Sequence, residues 1–528
     1  IIIIYGNRNV KEDVELLQLN KATELYIIGE ESRTDDMESY HDTMNMKCLD
    51  LVYKEVEKIS HFKKIENENK ETISDNRLLC RFMFEYQTTF NVFQYSEISD
   101  RIKERINFKP FHYYEMWAQK VLVCKTLDHT ANYEYLPLEG ESGIRKDDDD
   151  YVHLVVVGMT RMGTALATQA ALMAHYPNFV TKGKRTKITL IDENADKEKN
   201  FYIDRYDRLF ALSNWSYKEM VRSESGADKL ETVFTHTPVE HDYLGGDFLD
   251  VEWEFIQGTV AQLKLQKYIE ECAIKSRKMT IAICKDEPSR CLAAALNLEW
   301  RIYENVLQVL VYNRYDDALV EQLHFKNKPK FKLSDGNELM EKESKQNTRR
   351  NIISPFGNKL KAFGMASECY CEEILRDSER LVGEFENVYS GGKRREPQKL
   401  TDYWSNVYAS NTMWTKFRCV ELKSGAISSE DIGILAKVEH NRWVIEKLIM
   451  SYRHLSKEEH EKAKQCSLKH EVYKRNMAHR DICSNKILRD MVGENGTNDE
   501  RFIRKLVEIK QEFDRYKNDG SRDNSTAC

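Results

Sequence analysis

Up to residue 324 the chain alternates short apolar runs with longer amphipathic segments; beyond it the pattern turns polar and helical. The clearest run, His153-Leu154-Val155-Val156-Val157, is continuous, as expected of a strand covered on both faces. It leads into Gly158-Met159-Thr160-Arg161-Met162-Gly163 and an alanine-rich stretch, residues 164–175, of high helix propensity. Residues 187–192 predict a second strand, ending in Asp192. Farther on, residues 255–258, 263–274, 279–284, 289–300 and 306–311 predict strand, helix, strand, helix and strand. Residues 1–6, 10–20, 24–29, 37–59 and 79–84 predict the same series.

The expected fold class is therefore α/β: two related units, the first incomplete at its start, followed by an α-helical domain. The boundaries predicted are a partial α/β unit over 1–136, an acidic linker over 137–151 and a second α/β unit over 152–324. Then come a polar linker with helices over 325–399, a helical domain over 400–510 and a polar tail over 511–528. The stretch 139–150, with four aspartates in a row from Asp147, reads as exposed. A chain that opens inside a buried strand, without methionine, reads as a fragment, with room for a membrane channel portion ahead of it.

Composition narrows the function classes. A net charge of −7 lacks the basic footprint that nucleic-acid binding requires, so no nucleic-acid partner is expected. The basic runs at 326–332 and 393–395 read as solvated loops. The 12 cysteines are scattered, Cys369 and Cys371 forming the only close pair, and no C-x-x-C occurs. That usage fits a reduced, cytoplasmic protein, and no apolar run approaches the roughly 18–20 residues a membrane-spanning helix needs.

Strand, glycine turn, helix, strand and terminal acid is the order of a dinucleotide-binding βαβ unit. Gly158 permits the tight turn, Gly163 lets the helix approach the sheet, and a phosphate would sit on the free N–H groups at the helix start. Thr160 replaces the middle glycine, where backbone approaches the pyrophosphate closely. Its hydroxyl could bond a phosphate, or its side chain could block the pocket. Asp192 stands where an acid meets a ribose, though farther along than the usual spacing of about 20 residues. Two readings stay open: a nucleotide site built by Gly158, Thr160, Arg161, Met162, Gly163 and Asp192, or an α/β shell kept for assembly.

These elements, with the segments opening at Gly6 and Gly258, resemble the TrkA-N, or RCK, domains that regulate potassium channels and transporters, often in tandem. The resemblance covers roughly residues 1–320. It implies Rossmann-type units, NAD(H) or another adenine nucleotide as ligand, and assembly into a homo-oligomeric dimer or ring.

Residues 435–448 carry Glu439-His440-Asn441-Arg442-Trp443, followed by Ser451-Tyr452-Arg453 and later His479-Arg480-Asp481-Ile482-Cys483. This looks like the RyR domain, the ryanodine-receptor repeat also found in bacterial proteins with TrkA-N domains. At 100° per residue, Ile434, Val438, Ile445, Leu448, Ile449 and Tyr452 share one face, Asn441 points into it, Arg442 lies at its edge and Trp443 points nearly opposite. A buried-edge arginine must be paired, and Glu439 and Glu446 are spaced to do it. The bland alternative is thus an intrahelical salt-bridge cluster with Trp443 packed on a neighbour. The functional one is a recognition pocket in which Trp443 stacks a ring beside Arg442 or His440. The resemblance adds Glu439, Arg453 and His479 to that candidate set.

Other patterns carry less. His236, His241 and Asp242 lack metal-ligand spacing, so no metal is expected. His440 and His479 with Cys483 lack a nucleophile turn or an oxyanion feature, and no P-loop occurs. The sequence therefore predicts no catalytic residue. It predicts a ligand-sensing regulatory protein coupled to potassium-type ion transport; an NAD-dependent oxidoreductase and a non-catalytic scaffold are the alternatives.

Overall fold

The computed structural model describes residues 5–29, 40–62, 64–66, 73–85, 102, 104–125, 127, 134–222, 228–314, 359–365, 380–386, 400–422, 425–493 and 497–523. The start of the opening strand, the basic runs at 326–332 and 393–395, and Cys369 and Cys371 lie outside the described residues. The protein is mixed α/β with predominantly parallel sheets. It divides into two compact units, residues 1–116 and 117–528.

The first unit holds α1 (Lys11–Glu15), β1 (Glu24–Ile27), α2 (Tyr40–Glu57), the antiparallel pair β2 (Lys64–Glu66) and β3 (Ile73–Asp75), β4 (Leu78–Phe84) and β5 (Ile106–His112). Strands β1-β4-β5 form a parallel sheet. Helix α2 packs on β4, with Leu49, Val52 and Val56 among its buried residues. The helix expected over 10–20 is shorter, because Gln18 takes a left-handed conformation (φ 49°) and a single 3-10 turn follows.

Helix α3 (Tyr113–Leu122) runs on from β5. In the second unit β6 (Tyr151–Val157) is buried except at its first residue, as its unbroken apolar run demands. Next come α4 (Arg161–Met173), α5 (Pro177–Lys182), β7 (Thr186–Asp192), α6 (Ala195–Arg205), α7 (Asp207–Leu212), β8 (Trp215–Arg222), β9 (Asp228–His236) and β10 (Val251–Gln257). They are followed by α8 (Leu263–Ser276), β11 (Arg277–Ile283), α9 (Pro288–Leu296), α10 (Trp300–Asn305), β12 (Gln308–Tyr312) and β13 (Leu360–Phe363).

Eight strands form one sheet, ordered β13-β12-β11-β6-β7-β10-β8-β9, parallel except for the β8–β9 hairpin. Without that hairpin, the strands from β10 to β13 follow the order 3-2-1-4-5-6 of doubly wound dinucleotide-binding sheets, consistent with a Rossmann-like unit. Its last strand lies beyond residue 324, inside the stretch expected to be linker and helices. Leu360, Ala362 and Phe363 are buried there, and β13 pairs in register with β12.

One sheet face hides a charge. Glu254 accepts hydrogen bonds from Lys187 (3.0 Å), Tyr268 (2.7 Å) and Thr189 (3.0 Å) and pairs with Lys218 at 2.7 Å. Burial pushes its carboxyl up, but the two lysines outweigh that and hold it down at about 2.

The remainder is helical: α11 (Leu400–Asn411), α12 (Met413–Arg418), α13 (Ser429–Ile449), α14 (Lys457–Gln465), α15 (Ser467–Arg475), α16 (Asn485–Val492) and α17 (Asn498–Asp523), with a two-strand ladder of β14 (Arg453–His454) and β15 (Ala478–His479). Helix α13 starts where the Ser428 hydroxyl accepts the Asp431 N–H, and the chain turns away at Ser451, φ 65°. Met413, Trp414, Leu435, Phe502, Leu506 and Phe513 share one core cluster. Helix α13 also packs against α4, α5 and α7, seating the helical region on the sheet's helices.

Residues 145–150, with the four aspartates, are exposed or half-buried as expected, but the start of the acidic stretch takes part in that seating. Glu139 is 2 % exposed, accepts the Tyr176 hydroxyl (3.1 Å) and receives Arg418 Nε at 2.8 Å. Gly143, at φ 69°, lies so close to the Arg418 carbonyl that a Cβ would meet its oxygen at 2.2 Å. Among the described residues no helix is long and apolar enough to cross a membrane.

Candidate functional site

Two concave sites involve the residues singled out by sequence. The first is the crevice at the carboxyl ends of β6, β7 and β11, where the strand order reverses. Gly158, at φ 104°, sits so close to β11 that a Cβ would meet the Cys284 carbonyl oxygen at 2.5 Å. Thr160 caps α4 by accepting the Gly163 N–H (3.3 Å), and its hydroxyl donates to the Cys284 carbonyl at 2.6 Å. Asp192 accepts the N–H of Met159 on one oxygen and that of Asn194 on the other, both at 2.8 Å.

The groups expected to meet a phosphate and a ribose thus hold the turn itself together. Gly158, Thr160 and Asp192 line the crevice, whereas Arg161, Met162 and Gly163 do not. Met162 is core, and a Cβ on Gly163 would strike the Gly158 carbonyl oxygen at 2.1 Å. Lys285 and Glu193, both lining residues, pair at 2.8 Å. The remaining cavity is about 180 Å³, small beside the ~300–1,000 Å³ of typical ligand sites.

This arrangement predicts that Asp192→Ala destabilises the protein with no ligand present, because the Met159 and Asn194 N–H groups lose their acceptor. An expected loss of about 1–3 kcal/mol is read from a denaturant titration; no loss would show that water replaces the carboxylate.

The second site lies in the helical region, with a cavity of about 730 Å³. Of the predicted set, Glu439, His440, Arg442, Trp443 and His479 all line it. Arg453 does not: both of its terminal nitrogens donate to Glu459, at 2.7 and 2.8 Å, tying β14 to α14. Lining residues outside that predicted set include His470, Lys474, Arg480, Asp499 and Arg501, from α15, the turn after β15 and α17.

Beneath the cavity Arg442, 1 % exposed, donates through Nε to Glu439 (2.8 Å) and through a terminal nitrogen to Glu446 (2.7 Å). Lys416 approaches the second Glu439 oxygen at 2.8 Å, and Lys447 the second Glu446 oxygen at 2.9 Å. The pairing expected within α13 is present, extended by Lys416 from α12. Burial opposes these charges, but the opposing partners outweigh it, raising Arg442 and lowering Glu446.

Aromatic groups form the wall. Trp443 lies 6.0 Å from the His440 ring at 19° and meets His479 edge-on at 4.9 Å. His470 meets His479 edge-on at 4.9 Å. His440 faces two acceptors, Asp499 at 3.2 Å and the Cys483 carbonyl at 2.8 Å, so both ring nitrogens donate and the ring is an imidazolium. Burial pulls its pKa down, but the bonds to Asp499 and Cys483 prevail and lift it to about 10. Burial pushes His479 the other way, down to about 3, leaving a neutral ring.

The sign of the His440 effect sets a pH dependence. Its folded-state pKa lies above the unfolded value of about 6.5, so the stabilisation is complete below that pH and is lost as pH rises through about 10. Melting temperature should fall across that window in the wild type and fall less in Asp499→Asn. Identical slopes in both proteins would remove the His440–Asp499 pair from the account.

The cavity can thus surround a planar ring with aromatic walls and offer cations (His440, Lys474, Arg480 and Arg501) beside acids (Asp499 and Glu471). No known protein family, curated protein or solved structure matches this chain.

Proposed function

We propose that this chain is a ligand-sensing regulatory protein whose small-molecule site is the helical cavity, with the sheet of residues 151–363 serving as a Rossmann-type platform. The observation that carries the reading is the contrast between the two concavities. One has about 730 Å³, aromatic walls and several cations. The other has about 180 Å³, its acid is taken by the Met159 N–H of the turn and its threonine hydroxyl by the Cys284 carbonyl.

The ligand class that fits is a small anionic molecule carrying a planar ring, of which nucleotides are the natural members: the ring for Trp443 and the histidines, the anion for Arg480, Arg501 or Lys474. Helix α13 supplies both the cavity wall and the contact with α4, α5 and α7, so a ligand that repositions α13 acts on the sheet's helices. The parallel order β1-β4-β5 in the first unit resembles β11-β12-β13 in the second and supports a repeated α/β design. Coupling to potassium-type ion transport, and a homo-oligomeric state, rest on the TrkA-N and RyR resemblances of the sequence.

The test is a thermal-shift titration of the chain against NAD⁺, NADH, ADP-ribose, ATP, ADP, AMP and cyclic nucleotides. A ligand at 100 times its dissociation constant adds about 2.7 kcal/mol of stability. A raised melting temperature with at least one nucleotide is the expected result; none with any of them would leave a scaffold without a nucleotide site.

A further inference from the structure

We infer that His470, His479 and Asp481 form a three-ligand site for a divalent transition-metal ion of the zinc class, set in the wall of the helical cavity. This inference does not depend on the identity, or the existence, of the organic ligand. One ligand atom from each of the three residues lies within 4.8 Å of the others. Two imidazoles and one carboxylate are a donor set suited to zinc and its first-row neighbours.

His470 on α15 is 8 % exposed, yet its Nε2 is buried without a hydrogen-bond partner. A buried polar atom left unpaired is costly and calls for an explanation; a metal ion supplies one. His479 already holds the tautomer that coordination needs. Its Nδ1 accepts the Asp481 N–H at 3.1 Å and is therefore unprotonated, and it lies 4.0 Å from Asp481 Oδ2. The other Asp481 oxygen is held by Arg480 Nε at 2.9 Å, which leaves Oδ2 for the ion.

Tetrahedral zinc, with bonds of about 2.0–2.2 Å, sets its donors roughly 3.4 Å apart. The three donors must therefore draw inward by about 1 Å, and the ion must replace the Asp481 N–H at His479 Nδ1. Arg480 and Lys474 bring positive charge near the ion, but each is paired with an acid, Asp481 and Glu471 respectively. All three ligands line the cavity, so the fourth position opens to it, the arrangement of zinc sites that bind an exchangeable water or anion. No metal-binding spacing announces the site, since these residues lie on α15, β15 and the turn after it.

The experiment strips the full chain with EDTA, dialyses it and titrates it with Co²⁺, followed by competition with Zn²⁺. The expected result is one equivalent of Co²⁺ with the intense visible bands of four-coordinate cobalt, displaced by Zn²⁺. His470→Gln and Asp481→Asn should each weaken binding about tenfold or more, with helical circular dichroism unchanged, and His236→Gln should leave it intact. Three outcomes would overturn the assignment: no saturable binding, binding that survives both substitutions, or a thiolate-to-cobalt band that assigns the ion to cysteine.

Discussion

Replacing Arg442 with alanine lowers the stability of the helical region by about 3–5 kcal/mol, as much as truncating a large aromatic residue of its core. The reason is the company it keeps. Glu439 and Glu446 are buried, each bonded to the guanidinium, and without it two buried carboxylates are left to Lys416, Lys447 and the Ser405 hydroxyl. Arg442→Lys rescues little, since one ammonium cannot span two carboxylates from the positions of Nε and a terminal nitrogen. Changing Glu439 and Glu446 to glutamine in the alanine background removes the stranded charges and should recover a large part of the loss. Denaturant titration followed by tryptophan fluorescence measures both. A loss below about 1 kcal/mol, the range of exposed ion pairs, would mean that the network is solvated.

The second large effect falls on binding. Trp443→Ala should weaken a nucleotide that stacks in the helical cavity by about 1–3 kcal/mol, or roughly 5- to 150-fold. Trp443 is only partly buried, and its contacts are the His440 ring, the edge of His479 and Lys447, whose ammonium lies 5.7 Å from the ring centroid. Truncation therefore removes a wall of the cavity and disturbs the core little, so stability without ligand should change less than in Arg442→Ala. Comparing isothermal titrations of the two proteins separates the roles. Unchanged affinity in Trp443→Ala would place the ring of the ligand elsewhere.

How much of this was legible in the sequence depended on the distance between partners. The run at 153–157, Gly158, Gly163 and Asp192 gave strand, turn, helix and strand, because those signals are local. What the Thr160 hydroxyl bonds was not legible, since the Cys284 carbonyl directly follows β11, the strand on the other side of β6. The burial of Glu139 was hidden for the same reason: an acidic run reads as solvated until Arg418, far along the chain, is placed against it. Strand β13 is four residues in a polar stretch, too short for periodicity to announce. The Arg442 pairing was legible because Glu439 and Glu446 stand three back and four on along one helix, but Lys416 came from another helix. The second wall of the cavity, His470, Asp499 and Arg501, required the packing of α17 against α13 and of α15 against β15.

The central claim is that ligand binds the helical cavity and not the sheet crevice. Hydrogen–deuterium exchange with and without the nucleotide giving the largest thermal shift tests it most directly. The account predicts new protection at residues 439–443, 470–481 and 498–502, with residues 158–163 and 192–194 unchanged. Protection confined to 158–163 and 192–194 would contradict it and return the site to the glycine turn.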